Sequence, residues 1–190
     1  MSKIIKPKKI GITGGIAMGK SFILAHISSK DINVISCDSI SIDVYATPLV
    51  QDYLSNYAHK YHPETSEINR KIVRDWMLLD NRFKQGLESI MHPEIRKRMM
   101  ESSCDIVEVP LLFENNLEKY FEHIWVVSCS PETQLKRLVN RIHDEKIARE
   151  LIKSQLPIEE KIKKATRNIN TECDVEEVYQ QIDIGLREDL

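Results

Sequence analysis

The sequence predicts an α/β domain built on a mainly parallel sheet, and three observations carry that reading. Short apolar runs alternate with stretches of helical period. A glycine-rich turn stands between the first of those runs and the first helix. The 190 residues suffice for one core and are too few for two full-sized domains.

Composition narrows the partners. With 42% hydrophobic and 29% charged residues the chain belongs with folded proteins rather than disordered ones. Its 27 basic and 29 acidic side chains leave a net charge of −2, so no global positive field holds a nucleic-acid backbone and any anion is bound locally. No run approaches the roughly 18 apolar residues of a membrane span, and the start, Met1-Ser2-Lys3-Ile4-Ile5-Lys6-Pro7, lacks the apolar stretch of a signal peptide. A cytoplasmic protein with no membrane partner is expected. Cys37, Cys104, Cys129 and Cys173 form no C-x-x-C pair, which predicts reduced, mostly buried thiols.

Strands are expected at Lys9-Ile10-Gly11-Ile12-Thr13, Ile32-Asn33-Val34-Ile35-Ser36, Asp105-Ile106-Val107-Glu108-Val109 and His123-Ile124-Trp125-Val126-Val127-Ser128. A helix is predicted from Lys20 to about Ser29. Between 40 and 100 the pattern is helical, and Trp76, Leu79, Phe83, Leu87 and Ile90 recur at spacings of three and four as one core stripe. Pro93 predicts a break near His92 and a new helix carrying Ile95 and Met99. Residues 131–164 read as charged helix divided at Pro157, and Val175, Val178, Ile182 and Leu186 share one face of a final helix.

The turn Gly14-Gly15-Ile16-Ala17-Met18-Gly19-Lys20-Ser21 matches G-x-x-x-x-G-K-[ST], the Walker A loop. Glycines let the backbone turn its N–H groups around a phosphate, and the helix that follows presents its positive end there. Lys20 is expected to reach the β- and γ-phosphates of ATP and Ser21 to ligate Mg²⁺. Neither D-x-x-G nor N-K-x-D occurs, which argues against a GTPase switch.

A kinase acting on a small molecule also needs an acid near the loop and arginines that cover the moving phosphate. Asp38, at the carboxyl end of the second strand, is the best acid, to orient the acceptor hydroxyl and Mg²⁺; a helix N-cap is its plainer role. Arg137 and Arg141, four apart, project from one helical face as two arginines gripping one anion would, or else as solvated surface charge.

Three further blocks give the chain a resemblance to the dephospho-CoA kinase family over nearly its whole length. They are His92-Pro93-Glu94-Ile95-Arg96, Val109-Pro110-Leu111-Leu112-Phe113-Glu114, and Gln155-Leu156-Pro157 followed by Glu159-Glu160-Lys161. The resemblance implies ATP- and Mg²⁺-dependent phosphorylation of the ribose 3′-hydroxyl of dephospho-CoA, the last step of coenzyme A synthesis. It further implies a three-layer P-loop kinase-like fold with a helical acceptor-binding insertion and a small lid. The core is then about 1–39, 104–136 and 165–190, the acceptor side about 40–103 and the lid about 137–157, in a monomer or weak homo-oligomer. Asp38, Lys20 and Arg141 match catalytic positions. The loop residues Gly14 to Ser21 and Arg137 match the ATP side, His92, Arg96 and Glu114 the acceptor side, and Ser21 with Asp38 the metal.

The chain departs from the family pattern at Ala17-Met18 within the loop, at Ser36 and Glu108, where the family has aspartates, at Ile42, where an arginine is common, and across 165–171. Those departures keep two rivals in view, a P-loop kinase for nucleosides or nucleoside monophosphates and a nucleotide-binding protein with weakened catalysis.

Overall fold

The computed structural model describes residues 8–65 and 67–190; the basic start, 1–7, lies outside them. Along the chain run β1 (Lys8–Gly14), α1 (Lys20–Ser28) and β2 (Val34–Ser36), then four helices, α2 (Cys37–Tyr45), α3 (Pro48–Tyr61), α4 (Arg70–Leu79) and α5 (Asn81–Glu101). After them come β3 (Ile106–Glu108), a 3₁₀ turn (Glu118–Tyr120), β4 (Phe121–Ser128), α6 (Pro131–Ile142), α7 (Glu145–Lys153), α8 (Ile158–Lys164), β5 (Arg167–Asn170) and α9 (Val175–Asp189). Contacts divide the chain into two compact units, one made of the chain up to Ser36 with Ser102–Leu190, the other of Cys37–Glu101.

The first unit is a five-stranded sheet in the order β2-β3-β1-β4-β5, every pairing parallel. Both faces of such a sheet are covered, so its central strands read as continuous apolar runs rather than as alternation. On one face Ile10, Ile12, Ile106, Trp125, Val127 and Ile169 pack with Ile23 and Ile27 of α1 and Val178 and Ile182 of α9. The residues between them face the other way, where a Cβ on Gly11 would meet Phe121 at 2.8 Å and Leu112 at 3.0 Å. Leu112 and Phe113 are buried there, while Leu111 stays exposed.

Chain direction over the sheet reverses between neighbours β1 and β3, since β1 leads leftward to β2 and β3 leads rightward to β4. Ligands bind outside the carboxyl ends of strands at such a switch point. The loop after β1 and Glu108 at the end of β3 stand there.

Four of the five strands occur where the sequence predicts them; β5 was not predicted. Only Ile169 of its four residues is buried, and it pairs on one side only, with β4. Sheet register supplies what its composition lacks. Pro157 begins α8, as expected. None of the four cysteines forms a disulfide among the described residues, and only Cys129 is buried, which corrects the expectation of mostly buried thiols.

In the second unit the Tyr57 ring packs at a tilt against Trp76 and Phe83, with ring centroids 5.2 and 4.3 Å away. The expected stripe from Trp76 to Ile90 is interrupted: α4 ends at Leu79, which is 87% exposed. Asp80 is the cause, because its Oδ1 accepts from Arg82 N at 2.8 Å and Phe83 N at 3.2 Å and so starts a new helix. Its Oδ2 accepts from the Tyr57 hydroxyl at 2.8 Å.

The break expected at His92 does not occur, and α5 runs through Pro93 to Glu101. Proline removes the N–H that would serve the Ser89 carbonyl, but Ser89, His92 and Pro93 are all exposed, so water can take that bond. Among the described residues no helix is long and apolar enough to cross a membrane.

Candidate active site

Strand β1 delivers the chain into the phosphate loop at Gly14, whose φ is +151°. A Cβ there would lie 2.4 Å from the Val127 carbonyl oxygen, so glycine is required both for conformation and for space. The loop closes at Gly19, φ +97°, the N-cap of α1. Among the described residues no side chain caps that helix end, the arrangement in which an anion completes the first turn. Ala17 and Met18, the two departures inside the loop, behave differently. Ala17 takes up φ +60°, which an alanine adopts at a cost of roughly 1–2 kcal/mol. Met18 has turned its side chain into the sheet core, where it is 1% exposed.

Lys20 Nζ lies over the loop, donating to the carbonyls of Gly14 and Gly15 at 3.0 Å each. Ser21 is exposed in the first turn of α1. Three side chains distant in sequence hold the loop from outside. Gln155 Oε1 accepts from Ile16 N at 2.9 Å, Gln134 Nε2 donates to Ile16 O at 3.0 Å, and Thr171 Oγ1 donates to Met18 O at 2.9 Å. None of the three was assigned a role from sequence. Gln155 opens one of the blocks that carry the family resemblance, but nothing local marks what any of the three holds, because each acts across more than a hundred residues.

Arg137 and Arg141 both lie on α6. Arg141 is exposed in its last turn, whereas Arg137 is half-buried and donates from both amino groups to Thr171, to Oγ1 and to the carbonyl oxygen, each at 2.9 Å. The two arginines therefore do not share one environment. Burial pushes the Cys129 thiol up, with neighbouring Arg137 pulling the other way, so Cys129 is neutral beside the loop.

Glu114, expected on the acceptor side, is engaged from within the first unit. Its Oε1 accepts from Leu156 N at 3.0 Å and forms an ion pair at 2.7 Å with Lys161, whose side chain has no exposed surface. Burial works to raise the Glu114 pKa; the Lys161 ammonium and backbone N–H groups outweigh it and hold the carboxyl below its ordinary value. At the ends of β2 and β3 Ser36 Oγ donates to Glu108 Oε2 at 2.6 Å, so the two departures from aspartate are partners of each other.

In the helical unit Asp38 is exposed in the first turn of α2. His92 is exposed on α5 and lines a cavity of about 370 Å³ with Ile42, Tyr45, Met91, Arg70 and Arg74. Arg70 stands 5.7 Å over the Tyr45 ring. Arg96, half-buried one turn further along α5, does not line the cavity.

Among the described residues no three His, Cys, Asp or Glu side chains converge as a metal site. A cation here must take most of its ligands from phosphate and water. Mg²⁺ binds in that way, with one or two protein oxygens such as the Ser21 hydroxyl, so the donor set fits it.

A parallel sheet with this switch point, a glycine loop closing on α1, and Lys20 and Ser21 at its end define a protein of the P-loop kinase class. The family model for dephospho-CoA kinase matches residues 8–177. The dephospho-CoA kinase of Fusobacterium nucleatum subsp. nucleatum is 32% identical over 182 residues, 92% of this chain and 94% of that protein. Among solved structures, TT1252 from Thermus thermophilus superposes with a TM-score of 0.79 at 25% identity, covering 96% of this chain and 98% of its own. The dephospho-CoA kinase from Campylobacter jejuni gives 0.69 at 26% identity, covering 94% and 95%. The chain belongs to the dephospho-CoA kinase family.

Proposed function

We propose that the phosphate loop and α1 hold ATP and that residues of Cys37–Glu101 serve the acceptor. As a dephospho-CoA kinase the chain uses ATP with Mg²⁺ to phosphorylate dephospho-CoA on its ribose 3′-hydroxyl, the final step of coenzyme A synthesis. The observation that carries the ATP side is the loop itself: Lys20 Nζ on the Gly14 and Gly15 carbonyls at the uncapped start of α1.

Transfer forms a bond from the acceptor oxygen to the γ-phosphorus and breaks that phosphorus's bond to the β-bridging oxygen, releasing ADP. Little covalent work falls to the protein, so its part is positioning and charge neutralisation. Lys20 and the loop amides neutralise the β- and γ-phosphates. The Ser21 hydroxyl, with Asp38, would hold Mg²⁺, which would supply charge neutralisation at the phosphates. The Asp38 carboxylate orients the acceptor hydroxyl and takes its proton. Arg141, exposed at the end of α6, covers the moving phosphoryl group from the lid, and Arg137 lies on the ATP side, fixed by Thr171. His92, at the cavity of the helical unit, and Arg96 serve the acceptor.

Four cysteines with no disulfide among the described residues support a cytoplasmic location, where thiols stay reduced, and the near-balanced charge supports small-molecule partners rather than nucleic acid. The test is ATP turnover with dephospho-CoA against AMP and adenosine. Phosphorylation of dephospho-CoA alone is expected. Preference for AMP or adenosine would overturn the acceptor assignment, and ATP binding with no turnover on any of the three would mean a chain that has lost catalysis.

A further inference from the structure

Ile16 is gripped on both sides of its backbone by side chains that come from opposite ends of one helical hairpin. Gln134 lies near the start of α6 and is 5% exposed; Gln155 lies in the linker between α7 and α8. The hairpin of α6 and α7 is thus fastened at each root to a single residue of the phosphate loop. Gly15 fits the same clamp, since a Cβ there would stand 2.8 Å from Gln134 Nε2.

The Gln155 bond has a consequence for the ammonium that serves ATP. Ile16 N–H belongs to the peptide plane whose oxygen is Gly15 O. That plane donates to Gln155 at one edge and accepts from Lys20 Nζ at the other, 2.9 and 3.0 Å respectively. Glycine at position 15 leaves the plane little else to resist rotation. Gln155 itself does not float, because the next residue, Leu156, donates its N–H to Glu114, which the buried Lys161 of α8 holds in turn.

We propose that Gln155 is a positioning residue for phosphoryl transfer: by holding the Gly15–Ile16 peptide it sets the orientation in which Lys20 and the loop meet the nucleotide phosphates. It acts through Ile16 and touches no substrate. The role rests on the reading of the loop as the ATP site, which the experiment tests separately.

Gln155→Met keeps the length of the side chain and removes the acceptor. In that variant the Ile16 amide should exchange hydrogen about tenfold faster, while the amides of β4 keep their protection. Calorimetric affinity for ATP should fall about tenfold, the equivalent of about 1.4 kcal/mol. KM for dephospho-CoA should stay within about twofold. A side chain with a purely structural role would lower the melting temperature and leave the ATP affinity of the folded protein unmoved. That result overturns the proposal, as does a parallel rise in KM for both substrates. A wild-type chain that binds no ATP at all overturns the reading of the loop and the role of Gln155 with it; wild-type binding with unchanged binding by the variant overturns the role alone.

Discussion

Replacing Lys161 by methionine removes an ammonium that has no exposed surface, from a position 2.7 Å from Glu114 Oε1. Among the described residues Glu114 Oε2 has no hydrogen-bond partner, so the carboxylate leans on the Lys161 charge. At an effective dielectric of roughly 20 the attraction at this separation is about 6 kcal/mol. Desolvating the two ions costs about as much, which makes the intact pair nearly neutral and the broken pair expensive.

Lys161→Met should therefore destabilise by about 3 kcal/mol, the low end for a broken buried pair, because Glu114 retains the Leu156 N–H and some contact with water. Glu114→Gln leaves the ammonium with no exposed surface and should cost more, about 4–5 kcal/mol. The double variant should return to within about 1 kcal/mol of wild type. Urea unfolding followed by circular dichroism gives all three values, and for a chain of this length the lysine variant should melt roughly 6–12 °C lower.

The pH response separates this account from a packing defect. In wild type the Glu114 pKa is lowered on folding, so its contribution is present above the ordinary carboxylate value and is lost as pH falls through the folded value. Without Lys161 burial raises the folded pKa instead, so the variant's deficit should shrink as pH falls towards 5. A deficit below about 1 kcal/mol, or a double variant equal to the sum of the singles, would refute the reasoning.

Asp38→Asn should leave a folded protein that binds ATP but phosphorylates dephospho-CoA about 10²-fold more slowly, and near-normal turnover would leave Asp38 only a place in the first turn of α2. If Arg141 covers the moving phosphoryl group as proposed, Arg141→Ala should lower kcat about 10²-fold while ATP affinity changes little, since it would meet charge that develops during transfer; unchanged kcat returns Arg141 to solvated surface charge. The Tyr57 hydroxyl, pushed up to about 12 by burial first and then by its bond to Asp80, has a folded pKa above its ordinary value of 10.0. It supports the fold fully below about pH 10, and that support is lost as pH rises from about 10 to about 12; Tyr57→Phe should flatten the loss of melting temperature across that window, and identical slopes would contradict it.

Apolar runs announced β1 and β4, and four fixed residues announced the phosphate loop, because both signals are local in the chain. Pairing with β4 decides β5, and Arg167-Asn168-Ile169-Asn170 carries no local trace of it. Periodicity joined Trp76 to Phe83 across Asp80, whose carboxylate ends one helix and opens the next without disturbing the spacing of apolar residues. Pro93 misled for the opposite reason: a strong local signal was overruled by solvent access at Ser89. Lys20 and Ser21 were legible as types at a spacing, while the contacts of the glutamines with Ile16 and of the threonine with Met18 were not, even though Gln155 opens a family block, since a side chain's reach across the fold leaves no local trace. Ser36 and Glu108 each read as a defect; only their hydrogen bond makes them one feature.

With Met18 seated among Ile23, Ile169 and Val178, the floor of the phosphate loop is the sheet core itself. Many binding loops fray at little cost, at the low end of a protein's stability range. This one cannot lift without drawing a fully packed side chain out of the core and leaving a void behind it. Its shape is therefore inherited from the packing of α1 and α9 against the sheet, and substitutions deep under α9, far from any nucleotide, will be felt first in how the triphosphate is held.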